Sequence, residues 1–387
     1  MKQTWTRRQW LGLSGSALLA GALPATATAG GPSAVAARDV DSSGAGATDA
    51  DALYRRALVL DANTLASIGQ LASDGDSAAQ LRQLRDSGVN ALKTTLGGAD
   101  GNFEAAVADI AAAQALVEAY PQQFLKVLQH ADLQRAKREG RIALIFSFES
   151  AAMLEGKPER IDLFRQLGVR VMQLSYNRAS PFGSGCLDGD VGGVTTLGRE
   201  AIARMNRLGV ALDLSHANAQ TTRDGIALSR RPPVVTHAGC SAVFAHPRNK
   251  LDRDMRALAD KGGVMGIYML PFLTEDSRQP LLADYLRHML HALDVCGEDH
   301  VGIGSDSMFF PVAEQDIREM DALMRQRRRD GIGAPGENRP PYLPDANGVR
   351  KLERVADGLL RHGYSARVAE KVLGLNFDRV FGEIWAA

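Results

Sequence analysis

The chain has no excess of either charge: Lys+Arg and Asp+Glu are both 45. A nucleic-acid binder needs a basic footprint, so no nucleic-acid partner is expected. Cysteine is scarce. Cys186, Cys240 and Cys296 are too few and too scattered for a disulfide framework. Aromatics are only 6%, but hydrophobic residues reach 45% and charged residues 23%, as in ordinary globular proteins. Beyond the N-terminus no apolar run reaches membrane-spanning length. The 387 residues allow one large domain or two average ones, and a sizeable core.

The N-terminus, MKQTWTRRQWLGLSGSALLAGALPATATAG, has the anatomy of a signal peptide. Arg7 and Arg8 precede a mildly apolar run, and Ala27-Thr28-Ala29 gives an A-x-A cleavage site. TRRQWLG resembles a twin-arginine signal. Residues 1–29 are expected to be removed, and the protein to be exported to the periplasm or outside the cell. No stable transmembrane anchor is expected after processing; an N-terminal membrane anchor is the alternative. Residues 30–52 are Gly/Ala/Ser-rich and read as a flexible lead-in, with order beginning near Leu53.

From there, short apolar runs recur. They are Ala57–Asp61, Ala91–Thr95, Ile142–Glu149, Val169–Tyr176, Val210–His216, Pro233–His237, Gly263–Met269 and Val301–Asp306. Helix-compatible stretches such as Thr196–Leu208 lie between them. Continuous apolar runs alternating with helices indicate parallel strands buried on both faces. Eight such units predict an α/β fold, a (β/α)8 TIM barrel with insertions and C-terminal helices over residues 53–387. A doubly wound open sheet is the alternative. No G-x-G-x-x-G follows the first run, which weakens a dinucleotide reading.

Several runs finish on a reactive side chain: Glu149, His216, His237 and Asp306, with Asp61 and Asn63 at the first. In a barrel the C-terminal strand ends share one mouth. Two His and one Glu there form a ligand set for a catalytic zinc with an open water position. The plainer alternative is that each His bonds backbone. Arg248, on the loop after His237, would clamp a carboxylate bidentately or pair with a structural Asp. His130, His288, His291, His300 and His362 read as surface or structural residues.

The stretches RMNRLGVALDLSHAN and PPVVTHAGCSAVFAHPRNKLDRDMRALADKGGVMGI resemble the membrane (renal) dipeptidase family of zinc metallopeptidases. FSFESA, VGIGSD and GLNFDRVF resemble further motifs of the same family. The resemblance runs from about Leu58 to Phe381. It implies an amidohydrolase-like barrel that generally holds two zinc ions. By motif, Glu149 would bridge the metals, and His216 and His237 would hold the second. Arg248 would bind the substrate carboxylate, and Asp306 would handle the proton of the attacking water.

Two departures mark this chain as divergent. The family usually carries D-G-H-x-D after the first strand; here Asn63 stands for the His and Leu65 for the Asp. Leu cannot ligate a metal, and a neutral Asn amide is a weak zinc ligand. Tyr176 replaces a His that helps stabilise the tetrahedral intermediate, and its phenol can still donate to an oxyanion. The expectation is a dipeptidase-like metallohydrolase with one tight Zn2+ and a second, weak metal. Asn63→His with Leu65→Asp should raise the metal count towards two. The substrate would be a dipeptide or similar small acyl-amino acid, and a homodimer is compatible. The alternative is a pseudoenzyme that binds a ligand without hydrolysis.

Overall fold

The expected apolar runs form strands and pair in parallel. The computed structural model describes residues 46–65, 77–99, 101–275, 278–331 and 333–386. The strands are β1 Leu60–Thr64, β2 Ala91–Thr95, β3 Phe124–Lys126, β4 Ile142–Phe148, β5 Val169–Gln173, β6 Ala211–Asp213, β7 Val234–Ala238, β8 Val264–Ile267 and β9 Val301–Ile303. Their order is β1-β2-β4-β5-β6-β7-β8-β9, every pair parallel. The segment after β9 closes the ring: Asp306 N–H donates to Asn63 C=O at 2.8 Å, and Leu65 N–H to Ser307 C=O at 3.3 Å. The result is a (β/α)8 barrel.

The helices are α1 Gly46–Arg56, α2 Ser77–Asp86, α3 Phe103–Ala119, α4 Ala131–Arg138, α5 Arg160–Gln166, α6 Thr196–Leu208 and α7 Ala219–Leu228. They continue with α8 Asp252–Asp260, α9 Leu282–Cys296, α10 Glu314–Arg329, α11 Lys351–Arg361, α12 Ala366–Glu370 and α13 Asn376–Trp385. The α6 boundaries follow from its caps. The Thr195 side chain accepts from Gly198 N–H, and Gly209 takes the left-handed φ of 63° that a C-terminal cap requires.

Three details differ from the sequence reading. Helix α1 begins at Gly46, inside the stretch read as a flexible lead-in up to residue 52. Ala50, Leu53, Tyr54 and Ala57 recur at helical spacing and are all buried, so packing orders this segment despite its small residues. The first strand starts at Leu60 rather than Ala57. Strand β3, too short to stand out in the sequence, pairs with Ile142–Leu144 of β4, while β5 pairs with Phe146–Phe148 on the rest of that strand. The segments read as signal peptide and as the first part of the lead-in lie outside the described residues. No described helix is long and apolar enough to cross a membrane.

Helix α13 sets the polarity of the barrel. Phe377, Phe381 and Trp385 share a buried cluster with the strand residues Ala91, Ala143, Ala211 and Val264. Trp385 Nε1–H donates to Arg170 C=O at the start of β5, and a Cβ on Gly302 would stand 2.6 Å from the Phe377 ring. The N-terminal strand ends are therefore covered by apolar rings. The polar residues are left to the opposite, C-terminal mouth.

Candidate metal centre

Each reactive side chain reaches that mouth from the C-terminal part of a strand or the residues just beyond it. Glu149 follows β4, Tyr176 follows β5, His216 follows β6, His237 lies in β7 and Asp306 follows β9. Ligand atoms of Glu149, His216 and His237 lie within 4.8 Å of one another. His216 Nε2 is 3.1 Å from His237 Nε2 and 3.8 Å from Glu149 Oε2. His237 Nε2 is 4.0 Å from Asp306 Oδ2.

Neighbouring hydrogen bonds fix the imidazole tautomers. His216 Nδ1 lies 2.8 Å from Asn177 Oδ1. An amide oxygen only accepts, so the ring donates from Nδ1. Thr236 Oγ1–H donates to Asp213 Oδ2 at 2.6 Å, so the Thr236 oxygen accepts from His237 Nδ1, 2.9 Å away. Both Nε2 atoms therefore carry lone pairs on the side of Glu149; that of His216 accepts from Arg248 Nη2, 3.1 Å away. Burial, reinforced by the Arg248 charge, pushes both His pKa values well below the usual range. The rings are neutral at pH 7, as metal ligands must be. Residues, geometry and protonation all fit a metal ion.

Asp213 anchors this arrangement. It accepts from Ser215 N–H at 3.0 Å, Ser215 Oγ at 2.5 Å, Thr236 N–H at 3.1 Å and Thr236 Oγ1 at 2.6 Å. Such partners behind a ligating His orient it and raise its basicity.

Asp306 has a φ of 47°, a left-handed backbone that is unusual for a residue other than glycine. Burial, and then the Glu149 carboxylate, raise its pKa to about 7. Arg248 is buried; it donates to Ser215 C=O at 2.5 Å and to His216 Nε2 at 3.1 Å. Tyr176 stacks on His216 with centroids 4.0 Å apart, and its hydroxyl accepts from Arg327 Nη2 at 3.2 Å. Above these groups lies a cavity of about 230 Å³. Its apolar wall includes Leu65, Leu270, Phe272, Met308 and Met324, and Arg248, Arg327 and Arg339 supply its positive charge.

Among the described residues, the altered first strand contributes no His, Asp or Glu to a metal-ligand cluster. Asn63 is buried; its Nδ2 donates to Asp306 Oδ1 at 2.9 Å, and its Oδ1 accepts from Lys93 Nζ at 2.5 Å. Leu65 lines the cavity wall. Asp61, the nearest possible replacement, is committed elsewhere: it accepts from Ser305 N–H at 2.8 Å and from Ser305 Oγ at 2.6 Å, tying β1 to the end of β9.

Sequence reasoning missed Lys93, Asn177, Asp213 and Arg327. The signal for Lys93 was a lone charge inside the run ALKTT. Arg327 lies far along the chain on α10, and nothing in its helical context marks it. The remaining His residues have structural partners: His288 bridges Cys240 N–H and Leu273 C=O, and His130 meets Asp378.

Comparison with known proteins agrees with this geometry. Residues 93–335 match the family model for membrane dipeptidase (peptidase family M19). A Klebsiella pneumoniae protein described as an uncharacterized protein in the pqqA 5' region is 31% identical over 67% of this chain and 88% of its own length. Dipeptidase verJ of Clonostachys rogersoniana is 29% identical over 70% of this chain and 68% of its own. A crystal structure of an amidohydrolase from Pseudomonas aeruginosa superposes with a TM-score of 0.76, at 28% identity, over 87% of this chain and 99% of that one. A parallel barrel with a His/His/Glu mouth defines a metal-dependent hydrolase of the dipeptidase type. The chain belongs to the membrane dipeptidase family.

Proposed function

We propose that the protein hydrolyses the amide bond of a dipeptide or similar small acyl-amino acid, using one zinc ion held by Glu149, His216 and His237. The observation that carries this reading is the convergence of Glu149, His216 and His237, whose ligand atoms lie within 4.8 Å of one another. A zinc ion bound there supplies Lewis acidity and lowers the pKa of a water to roughly 7.

The protein's own groups supply the rest. Asp306 accepts the proton of the attacking water and delivers it to the leaving amine, and its raised pKa suits a group that must do both near neutrality. Tyr176 accepts a hydrogen bond from Arg327, which leaves its own O–H to donate to the developing oxyanion. Arg248 pairs with the substrate carboxylate, and the Leu- and Met-lined wall receives an apolar side chain or acyl group. The N-terminal segment directs export by the twin-arginine route.

The test is zinc content together with hydrolysis of a panel of dipeptides and N-acyl amino acids. About one zinc per chain, with activity lost in Asp306→Asn and zinc retained, supports the reading. A second reading, ligand binding without hydrolysis, draws on the replacement of both first-strand ligands. Folded, zinc-loaded protein that binds but never cleaves these substrates would establish it.

A further inference from the structure

Lys93 is a fully buried lysine on β2, facing inward among the metal-site residues. Its Nζ lies 2.5 Å from Asn63 Oδ1 and 3.9 Å from Glu149 Oε1. The same Glu149 oxygen accepts from Thr95 Oγ1 at 2.8 Å, while Oε2 faces His216. The glutamate thus has one side towards the two imidazoles and the other towards an ammonium. Asn63 continues the chain of contacts, with its amide nitrogen donating to Asp306 Oδ1 at 2.9 Å. One buried cation therefore serves two carboxylates, Glu149 directly and Asp306 through Asn63.

We propose that the Lys93 ammonium is a built-in cation that stands where a second metal would otherwise be needed, and that it excludes such a metal from the Asn63 side of Glu149. The proposal rests on the single zinc of the preceding section. A divalent ion placed there would meet a positive charge at close range in a low-dielectric interior, where like charges repel strongly. It would also lack an anionic ligand of its own, because Leu65 offers none. Asn63 suits an ammonium: its amide oxygen accepts from Lys93, and its amide nitrogen donates to Asp306. Asn63, Leu65 and Lys93 act as one unit. It follows that Asn63→His with Leu65→Asp is insufficient by itself to add a metal while Lys93 remains.

Metal content decides this independently of turnover. Zinc per chain is measured by mass spectrometry after dialysis in the wild type, in Asn63→His/Leu65→Asp, and in the same double variant carrying Lys93→Ala. The expected values are one, one and two. Two zinc ions in the double variant, or one in a folded triple variant, would overturn the proposal. Zinc-free wild type would instead overturn the single-zinc reading on which it rests. Should the triple variant not fold, calorimetric titration of the wild type with zinc still decides: a second tight equivalent contradicts the proposal, and saturation at one supports it. Lys93→Arg, which keeps the charge, should also saturate at one, and two there would contradict it.

Discussion

Asn63 holds Asp306 twice. Its backbone carbonyl accepts from the Asp306 amide at 2.8 Å, and its side-chain Nδ2 donates to the Asp306 carboxylate at 2.9 Å. Asn63 thereby supports the proposed proton carrier. The backbone bond closes the barrel, and the side-chain bond orients the acid.

Removing only the side-chain support should therefore slow turnover without emptying the zinc site. Asn63→Ala is expected to lower kcat by about 10–100-fold, the usual cost of losing an orienting partner. Zinc content should stay at the wild-type level. Steady-state kinetics with metal analysis checks both. Equal loss of zinc and activity would mean that Asn63 acts on the metal instead.

Asp213 lies behind His237 and Ser215, accepting four hydrogen bonds. Asp213→Ala leaves buried donors without partners, and each such group costs roughly 1–3 kcal/mol. The expected outcome is a fall of at least about 2 kcal/mol in stability and a 10–100-fold weaker zinc affinity. Denaturant titration and competition with a chelator measure the two effects.

The Asp306 carboxyl gives a pH signature in metal-stripped protein. Its folded pKa of about 7 lies above the ordinary carboxylate value, so the folded chain holds this proton more tightly than the unfolded chain. Stability from this group is full below pH about 4 and declines as pH rises through about 7. Buried neutral His216 and His237 slope the opposite way below pH about 6.5, so the relevant quantity is the difference between wild type and Asp306→Asn. Thermal unfolding between pH 4 and pH 8 should show wild type losing stability relative to Asp306→Asn as pH rises. A constant difference would remove Asp306 from this role.

Arg248 should read the substrate's carboxylate. Arg248→Lys keeps the charge but loses the guanidinium fork, and KM is expected to rise about 10–100-fold for free dipeptides. Dipeptides with an amidated C-terminus should already be poor substrates for the wild type and lose little more in the variant. Equal losses for both substrate forms would place Arg248 outside carboxylate recognition.

Much of this was legible in the sequence. Glu149, His216, His237 and Asp306 each end a continuous apolar run, and a parallel barrel carries such ends to one mouth. Lys93 was not legible. In a five-residue strand its direction depends on the pleat, and its purpose depends on Asn63, thirty residues earlier. Asp213 was hidden for a related reason: in LDLSH it is one polar residue among several, and only the approach of Thr236 from β7 shows which groups it serves. Helix α1 was hidden by composition, because its small residues obscure the spacing of Ala50, Leu53 and Tyr54.

The central claim is a single zinc held by Glu149 and by Nε2 of His216 and His237. Anomalous scattering from crystals at the zinc absorption edge tests it most directly. The account predicts one peak per chain, within bonding distance of those three groups, with Lys93 Nζ still on Asn63. No peak there, or a second peak between Glu149 and Asn63, would contradict it.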